Sequence, residues 1–401
     1  MNFDAIVIGA GPAGSTAALL LARAGWSVAI VEKAQFPRRK VCGEFISAPA
    51  LALLARLDLA AGVAASAGPD IRAVAVFAGE RVVEGAMPGA SGAVPYGRAL
   101  GRDQLDAALL DAARRAGAVA WQPWGVSRVE RCERGYICSL EGKGVDALAL
   151  TAPVVIAAHG SWDTGRLHLG GLAKRPARSD LLAFKAHFTG VALAPGCMPL
   201  IAFPGGYGGL VHSSGGRVSF SCCIRRDALA ACRAQAPGSS AGAAVLEHIM
   251  RSCRGMRDAL DGAVREDAWL AAGPLRPGIR ACAGQGYFAV GNALGEAHPI
   301  VAEGISMAIQ SSWLLCERLA AGPRCAGDAD WNTIARDYEH AYRANFARRI
   351  GAASVFASLA MRPAVASVAA HVLEAVPGLI NFGARCAGKV RLLVPAPTHV
   401  E

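Results

Sequence analysis

The sequence predicts an α/β protein: a Rossmann-like parallel sheet assembled from separated stretches of chain, a second β-sheet inserted into it, and a helical C-terminal region. Three observations predict this. An apolar strand, a glycine turn, an alanine-rich helix and a second strand follow one another within the first 32 residues. Another strand–loop–helix with glycines at its turn begins at Gly286, far along the chain. Between them, residues 180 to 225 alternate with the two-residue period of sheet. Two glycine-bearing units so far apart can build one domain only if it is discontinuous. The expected boundaries are 1–75 with 98–180 and 275–325 for that domain, 76–97 with 181–274 for the inserted sheet, and 326–401 for the helical region.

The chain has 401 residues, 53% hydrophobic and only 18% charged, which supplies a large core and excludes a disordered protein. Lys and Arg number 41 against 31 Asp and Glu, a net charge of +10 that favours acidic ligands or membrane surfaces. Nothing points to a nucleic-acid partner. Met1-Asn2-Phe3-Asp4 lacks the basic start of a signal peptide, and no run of about 18 uncharged apolar residues stands out as a span. The twelve cysteines are scattered and form no CxxC pair, so reduced thiols in a cytoplasmic protein are expected, and no metal site.

Phe3 to Ile8 reads as a buried strand that runs into Gly9-Ala10-Gly11-Pro12-Ala13-Gly14. A helix follows to about Ala24, Gly25 ends it, and Ser27 to Val31 forms the next strand, closing on Glu32 and Lys33. In such a unit Gly9 permits the tight turn, Gly11 lets backbone N–H groups approach a pyrophosphate, and Gly14 lets helix pack on strand. The helix start presents open N–H groups and partial positive charge to phosphate. Glu32 is placed to accept ribose hydroxyls. The far unit runs Gly286 to Val290, then Gly291-Asn292, then His298-Pro299, and opens a helix at Gly304-Ile305 that ends before Gly322-Pro323.

With both units in view, the chain resembles the FAD-dependent oxidoreductases that unite p-hydroxybenzoate hydroxylase-type enzymes, flavin halogenases and geranylgeranyl reductases. The resemblance implies a glutathione-reductase-type FAD-binding domain gripping FAD between Gly9, Gly11, Pro12, Ala13, Gly14, Glu32 and Lys33 at one end. At the other end it implies Gly291, Asn292, Pro299, Gly304 and Ile305. Asn292 stands where the family usually has Asp, and Ala302 where it often has Gly. Phe36-Pro37-Arg38-Arg39-Lys40-Val41-Cys42-Gly43-Glu44-Phe45 is similar to the segment of the geranylgeranyl-reductase-like members in which a basic residue and a Cys-Gly pair lie along the cofactor, which implicates Lys40 and Cys42. Arg102, opening the Asp103–Ala116 helix, matches the family arginine that approaches FAD better than Arg98 does.

Val154 to Ala158 ends in His159-Gly160-Ser161-Trp162, with His159 in place of the Asp that hydroxylases of the family carry. The replacement implies that NAD(P)H, the family's electron donor, binds poorly here or that a partner protein supplies the electrons. Phe203-Pro204 matches a reductase element, but Gly205 occupies its lysine position, and Trp121-Gln122-Pro123-Trp124 does not replace the halogenase tryptophan motif. The glycine-interrupted strands suit one wall of a cavity for a small lipophilic substrate. In the tail, Pro363 to Phe382 carries only His371 and Glu374 as titratable groups, and reads as packed core, as a lid, or as a peripheral membrane contact.

No catalytic base stands out. The leading expectation is a flavin monooxygenase that hydroxylates a lipophilic aromatic or polyketide-like molecule. The alternatives are a geranylgeranyl-reductase-like enzyme reducing a carbon–carbon double bond, and a non-enzymatic flavin carrier.

Overall fold

The computed structural model describes residues 1–142, 145–161, 177–280, 284–324, 327–376 and 378–387. Its first layer is a five-stranded parallel sheet in the order Tyr287–Ala289, Val154–Ala157, Ala5–Ile8, Val28–Val31, Val119–Trp121. Four of these strands are buried throughout, as expected of short Val/Ile/Ala runs covered on both faces. Ala5–Ile8 lies at the centre, in register with Val28–Val31 on one side and Val154–Ala157 on the other.

The Pro12–Arg23 helix packs against two others, Arg102–Arg115 and Gly304–Ala321. It starts on Pro12, whose missing N–H costs nothing at a helix start, and buries Ala17, Ala18, Leu19 and Leu21. The Ser312 hydroxyl donates to the Ala13 carbonyl at 2.8 Å, and a Cβ placed on Gly291 would lie 2.9 Å from that of Ala13. The two glycine-bearing units, nearly 300 residues apart in sequence, therefore meet side by side.

The second sheet runs Val264–Arg265, Leu181–Thr189, Val218–Arg225, Gly206–His212, Cys197–Phe203, Ala73–Ala78, Arg81–Ala86, with Leu270–Leu275 also paired to Leu181–Thr189. It is antiparallel except where Cys197–Phe203 meets Ala73–Ala78. One face is sealed by the Ala241–Ser252 and Arg254–Leu260 helices over an apolar core that includes Phe188, Phe203, Phe220 and Ile249. A meander of three strands, Gly125–Cys132, Gly135–Gly142 and Val145–Ala152, flanks the parallel sheet.

From Asp328 the chain is helical: Asp328–Ala360, Pro363–Ala375 and Gly378–Cys386. Tyr338, Tyr342 and Phe346 recur every four residues on the buried side of the first of these. Ten cysteines among the described residues are free thiols, most of them buried. Burial pushes the Cys138 and Cys223 thiols up to about 12, so they behave as small apolar residues.

Candidate cofactor and active site

A cleft open to solvent runs from the first glycine turn to the inserted sheet. Gly11, Pro12, Ala13, Lys40, Cys42, Arg102, Asn292, Pro299, Gly304 and Ile305 all line it. The other three glycines shape the turns behind it. Gly9 has φ +103° and a Cβ there would sit 2.7 Å from the Ala158 carbonyl oxygen; on Gly14 it would sit 1.8 Å from that of Gly9. Gly291 has φ +58° and gives its N–H to Ser311 at 2.9 Å. Gly11 differs: a Cβ there would meet only an Arg102 nitrogen, at 3.6 Å, so the space above it is open.

Glu32 is buried behind the turn, where its two oxygens accept from Ala10 N–H and Ala34 N–H, each at 2.9 Å. It therefore shapes the turn as well as offering its remaining lone pairs to a ribose. Lys33, expected to face the cofactor, is exposed and off the cleft. The side chains alternate past the strand end, so turning Glu32 inward turns Lys33 out.

Asn292 donates to Ser161 Oγ at 3.1 Å and to Glu296 at 3.3 Å, which fixes its amide at the cleft wall. Trp162 falls outside the described residues; His159 contacts the Gly160 carbonyl at 3.0 Å. Ala302 has φ +49° and ψ +41°, the left-handed region, which is the physical reason a glycine is preferred at this point.

Arg102 holds Asp106 through two bonds of 2.7 Å. Burial opposes its charge, but Asp106 and then Cys42 more than compensate, and its pKa lies above the ordinary guanidinium value. Arg38 reaches Asp106 at 3.1 Å and Glu32 at 3.7 Å. Arg98 is structural and donates to the Gly68 carbonyl at 2.8 Å.

These residues fit a dinucleotide diphosphate. Neither the helix at Pro12 nor the one at Gly304 has a side-chain cap, so their first N–H groups face the cleft open, beside Arg102 and Lys40. FAD would be held by its diphosphate over Gly11–Ala13, with Asn292 to Ile305 along its other half. Burial, then Arg102 and Arg38, lower the Lys40 pKa to about 8. A bound diphosphate favours the ammonium form, so the affinity of apoprotein for FAD should hold below pH 8 and weaken above it. Flavin fluorescence titration of wild type against Lys40→Met checks this, because the variant should lose the slope.

Beyond the cofactor loops lies a buried polar cluster that sequence reasoning missed. Glu44 adopts φ +63°, unusual for a residue with a side chain, and its carboxylate accepts from Lys185, from His187 Nε2 at 3.1 Å and from Ser213 Oγ at 2.9 Å. His187 Nδ1 reaches Asp267 at 2.9 Å, and Asp267 pairs with Arg39. Burial alone would raise the Glu44 pKa, but the His187 hydrogen bond and the Lys185 charge hold it well below the usual carboxylate range. The available signal was Lys185 and His187 two residues apart, on one face of an otherwise apolar strand.

The sheet wall of the cleft is formed by Met198, Leu200, Gly208, Gly209, Leu210 and Ser221. Tyr207 and Cys223 also border it. The Tyr207 hydroxyl lies 3.1 Å from His298 Nδ1. Burial holds the tyrosine well above its ordinary pKa and lowers that of His298, so a protonated phenol donates to a neutral imidazole. Trp121 and Trp124 pack edge to face at 6.0 Å and do not line the cleft.

Residues 2–195 match the family described as FAD binding domain. The chain is 40% identical over 115 residues to a menaquinone reductase of Mycobacterium tuberculosis, covering 29% of this chain and 28% of that protein. A second menaquinone reductase, from Mycolicibacterium smegmatis, is 54% identical over 57 residues, 14% of either chain. The chain thus aligns with well under two thirds of these relatives' length. In fold it is similar to the flavin-dependent brominase Bmp2, with TM-score 0.76 and 20% identity over 97% of this chain and 94% of that one. It is also similar to a geranylgeranyl bacteriochlorophyll reductase-like protein from Thermoplasma acidophilum, with TM-score 0.73 and 18% identity over 98% and 94%. Residues 2–195 are thus an FAD binding domain, and over nearly its whole length the chain shares the fold of these solved flavoproteins.

Proposed function

We propose that the protein uses FAD to reduce a carbon–carbon double bond in a lipophilic molecule of the quinone or isoprenoid class. One observation carries this reading. Lys40 to Phe45, the stretch that resembles the geranylgeranyl-reductase-like members, runs along the cleft where the cofactor loops meet the apolar sheet wall. Two relatives that match locally are named menaquinone reductases, which supports a substrate of the quinone or isoprenoid class.

FAD, once reduced, supplies a hydride. The protein must then deliver one proton to the second carbon of the double bond and keep the substrate in an apolar slot. Tyr207 suits proton delivery, because it borders the cleft and burial keeps its phenol protonated across neutral pH. Met198, Leu200 and Leu210 form the apolar slot.

A second reading is hydroxylation of a lipophilic aromatic or polyketide-like molecule. It is favoured by Gly208 and Gly209, which line the cleft without side chains beside the cofactor loops. The two readings separate in one experiment. Holoprotein reduced anaerobically, by NADPH, NADH or dithionite, is mixed with a geranylgeranyl lipid or a menaquinone; the protein is then removed, any quinol is reoxidised in air, and the product is weighed. A gain of two hydrogens without oxygen supports the reductase; product that forms only with O₂ and gains one oxygen atom replaces it. For the reductase, Tyr207→Phe should lower turnover by about 10²-fold or more with FAD content unchanged.

A further inference from the structure

We propose that the outer face of the two C-terminal helices docks on an anionic lipid bilayer and passes lipophilic ligand inward to the cleft. The inference extends the reading of a lipophilic substrate and starts from surface exposure. Among the described residues, eleven large hydrophobic side chains are exposed, and eight of them lie between Val355 and Phe382. Val368, Val372 and Val376 repeat every four residues, at 65%, 45% and 50% exposure; Leu379 and Phe382 continue the patch at 40% and 64%. Val355, Phe356 and Leu359 at the end of the preceding long helix add to it. So much clustered apolar surface marks a contact site.

The opposite side of the same helices faces the substrate sheet. Ala366 and Ala370 pack on Val76, Ala78 and Ala202. Leu373 and Ile380 join the apolar cluster of Phe45, Met198, Leu200 and Ala302, all four of which line the cleft. Two thin helices thus separate an exposed greasy face from the wall of the substrate cleft.

Charge selects the occupant. From Glu339 to Glu401 the sequence has seven Lys and Arg against three acids, and two of the acids are paired, Glu374 with Arg81 and Glu339 with Arg343. Arg362 and Arg385 are exposed at the two ends of the Val368–Phe382 patch, and Arg348 is exposed on the preceding helix. A second copy of the chain would bring these cations against their own kind, whereas an anionic bilayer complements them. No single helix among the described residues is long and apolar enough to cross a membrane; the Asp328–Ala360 and Pro363–Ala375 helices meet at 107°. An apolar face with basic ends on such helices lies in the interface plane.

The test is co-sedimentation of holoprotein with phosphatidylcholine vesicles, with and without phosphatidylglycerol, for wild type and for V372D/F382D. Wild type should pellet with the anionic vesicles, and the double variant should bind about tenfold more weakly or worse. Both side chains point away from the core, so the variant should keep its bound FAD and its melting temperature. Wild type that stays in the supernatant, or a variant that binds equally, overturns the proposal. So does light scattering that reveals a wild-type dimer dissolved by the two substitutions, since the face would then be a self-contact. Vesicle binding is read without turnover, so it stands or falls separately from the double-bond chemistry.

Discussion

Gly11→Val is expected to yield folded protein without yellow colour. The valine Cβ would meet only an Arg102 nitrogen, at 3.6 Å, so the surrounding fold has room for it. The volume it fills is that in which backbone N–H groups of the Pro12 helix must reach a diphosphate. Loss of cofactor should therefore occur with the circular dichroism spectrum of a folded protein. Gly14→Val is the control with a different cause. Its Cβ would lie 1.8 Å from the Gly9 carbonyl oxygen and 3.0 Å from the Ala158 side chain, which forces the helix off the central strand. That variant should be insoluble or melt far below wild type. Absorbance of the bound flavin together with the melting curve separates the two outcomes, and stoichiometric FAD in folded Gly11→Val would refute the placement.

Glu44→Gln should cost about 3–5 kcal/mol of stability, the range seen when one partner of a buried ion pair is removed. The carboxylate is 2% exposed and faces Lys185 and His187, each 1% exposed; the neutral amide would leave an ammonium group buried without its counter-charge. Adding Lys185→Met to the variant should restore part of the loss, because an apolar side chain then replaces the stranded cation. The pH dependence has a definite sign. The folded-state pKa of Glu44 is depressed below its ordinary value of 4.5, so its contribution is complete above that value and is lost as pH falls through the lower folded pKa. Denaturant melts at and below pH 4.5 should therefore show wild type losing stability more steeply than Glu44→Gln. Parallel curves would mean that Glu44 is not ionised in the folded protein.

The readability of this protein from its sequence follows the distance over which each interaction acts. Gly9, Gly11 and Gly14 are legible because their roles are set within six residues, by turn, approach and packing. The meeting of Ala13 with Gly291 and Ser312 is inferable because two half-sites of one ligand must converge. Lys33 misses the cleft by one residue of phase, the kind of error that alternation past a strand end produces. The Glu44 cluster leaves almost no local trace: its partners Lys185 and His187 lie 141 and 143 residues away, and Asp267 another 80 from His187. Tyr207 and His298 are likewise 91 residues apart. Such groups look like isolated polar residues until the chain is folded. The exposed Val368–Phe382 face is visible as composition, but only solvent exposure separates a greasy surface from a buried helix of the same make-up.

The strand order of the parallel sheet has a consequence for how the protein can be made. Val154–Ala157 has an unpaired edge until Tyr287–Ala289 arrives from more than a hundred residues downstream. During synthesis, a nascent chain stalled before that point carries an uncapped Val-Val-Ile-Ala ribbon and lacks the Gly304 helix that flanks Pro12–Arg23. The cofactor half is consequently not a cassette that can be cut out at residue 195 and fused elsewhere. Swaps between relatives would have to exchange both stretches of the inserted sheet, 73–86 and 181–275, and leave both ends of the chain in place.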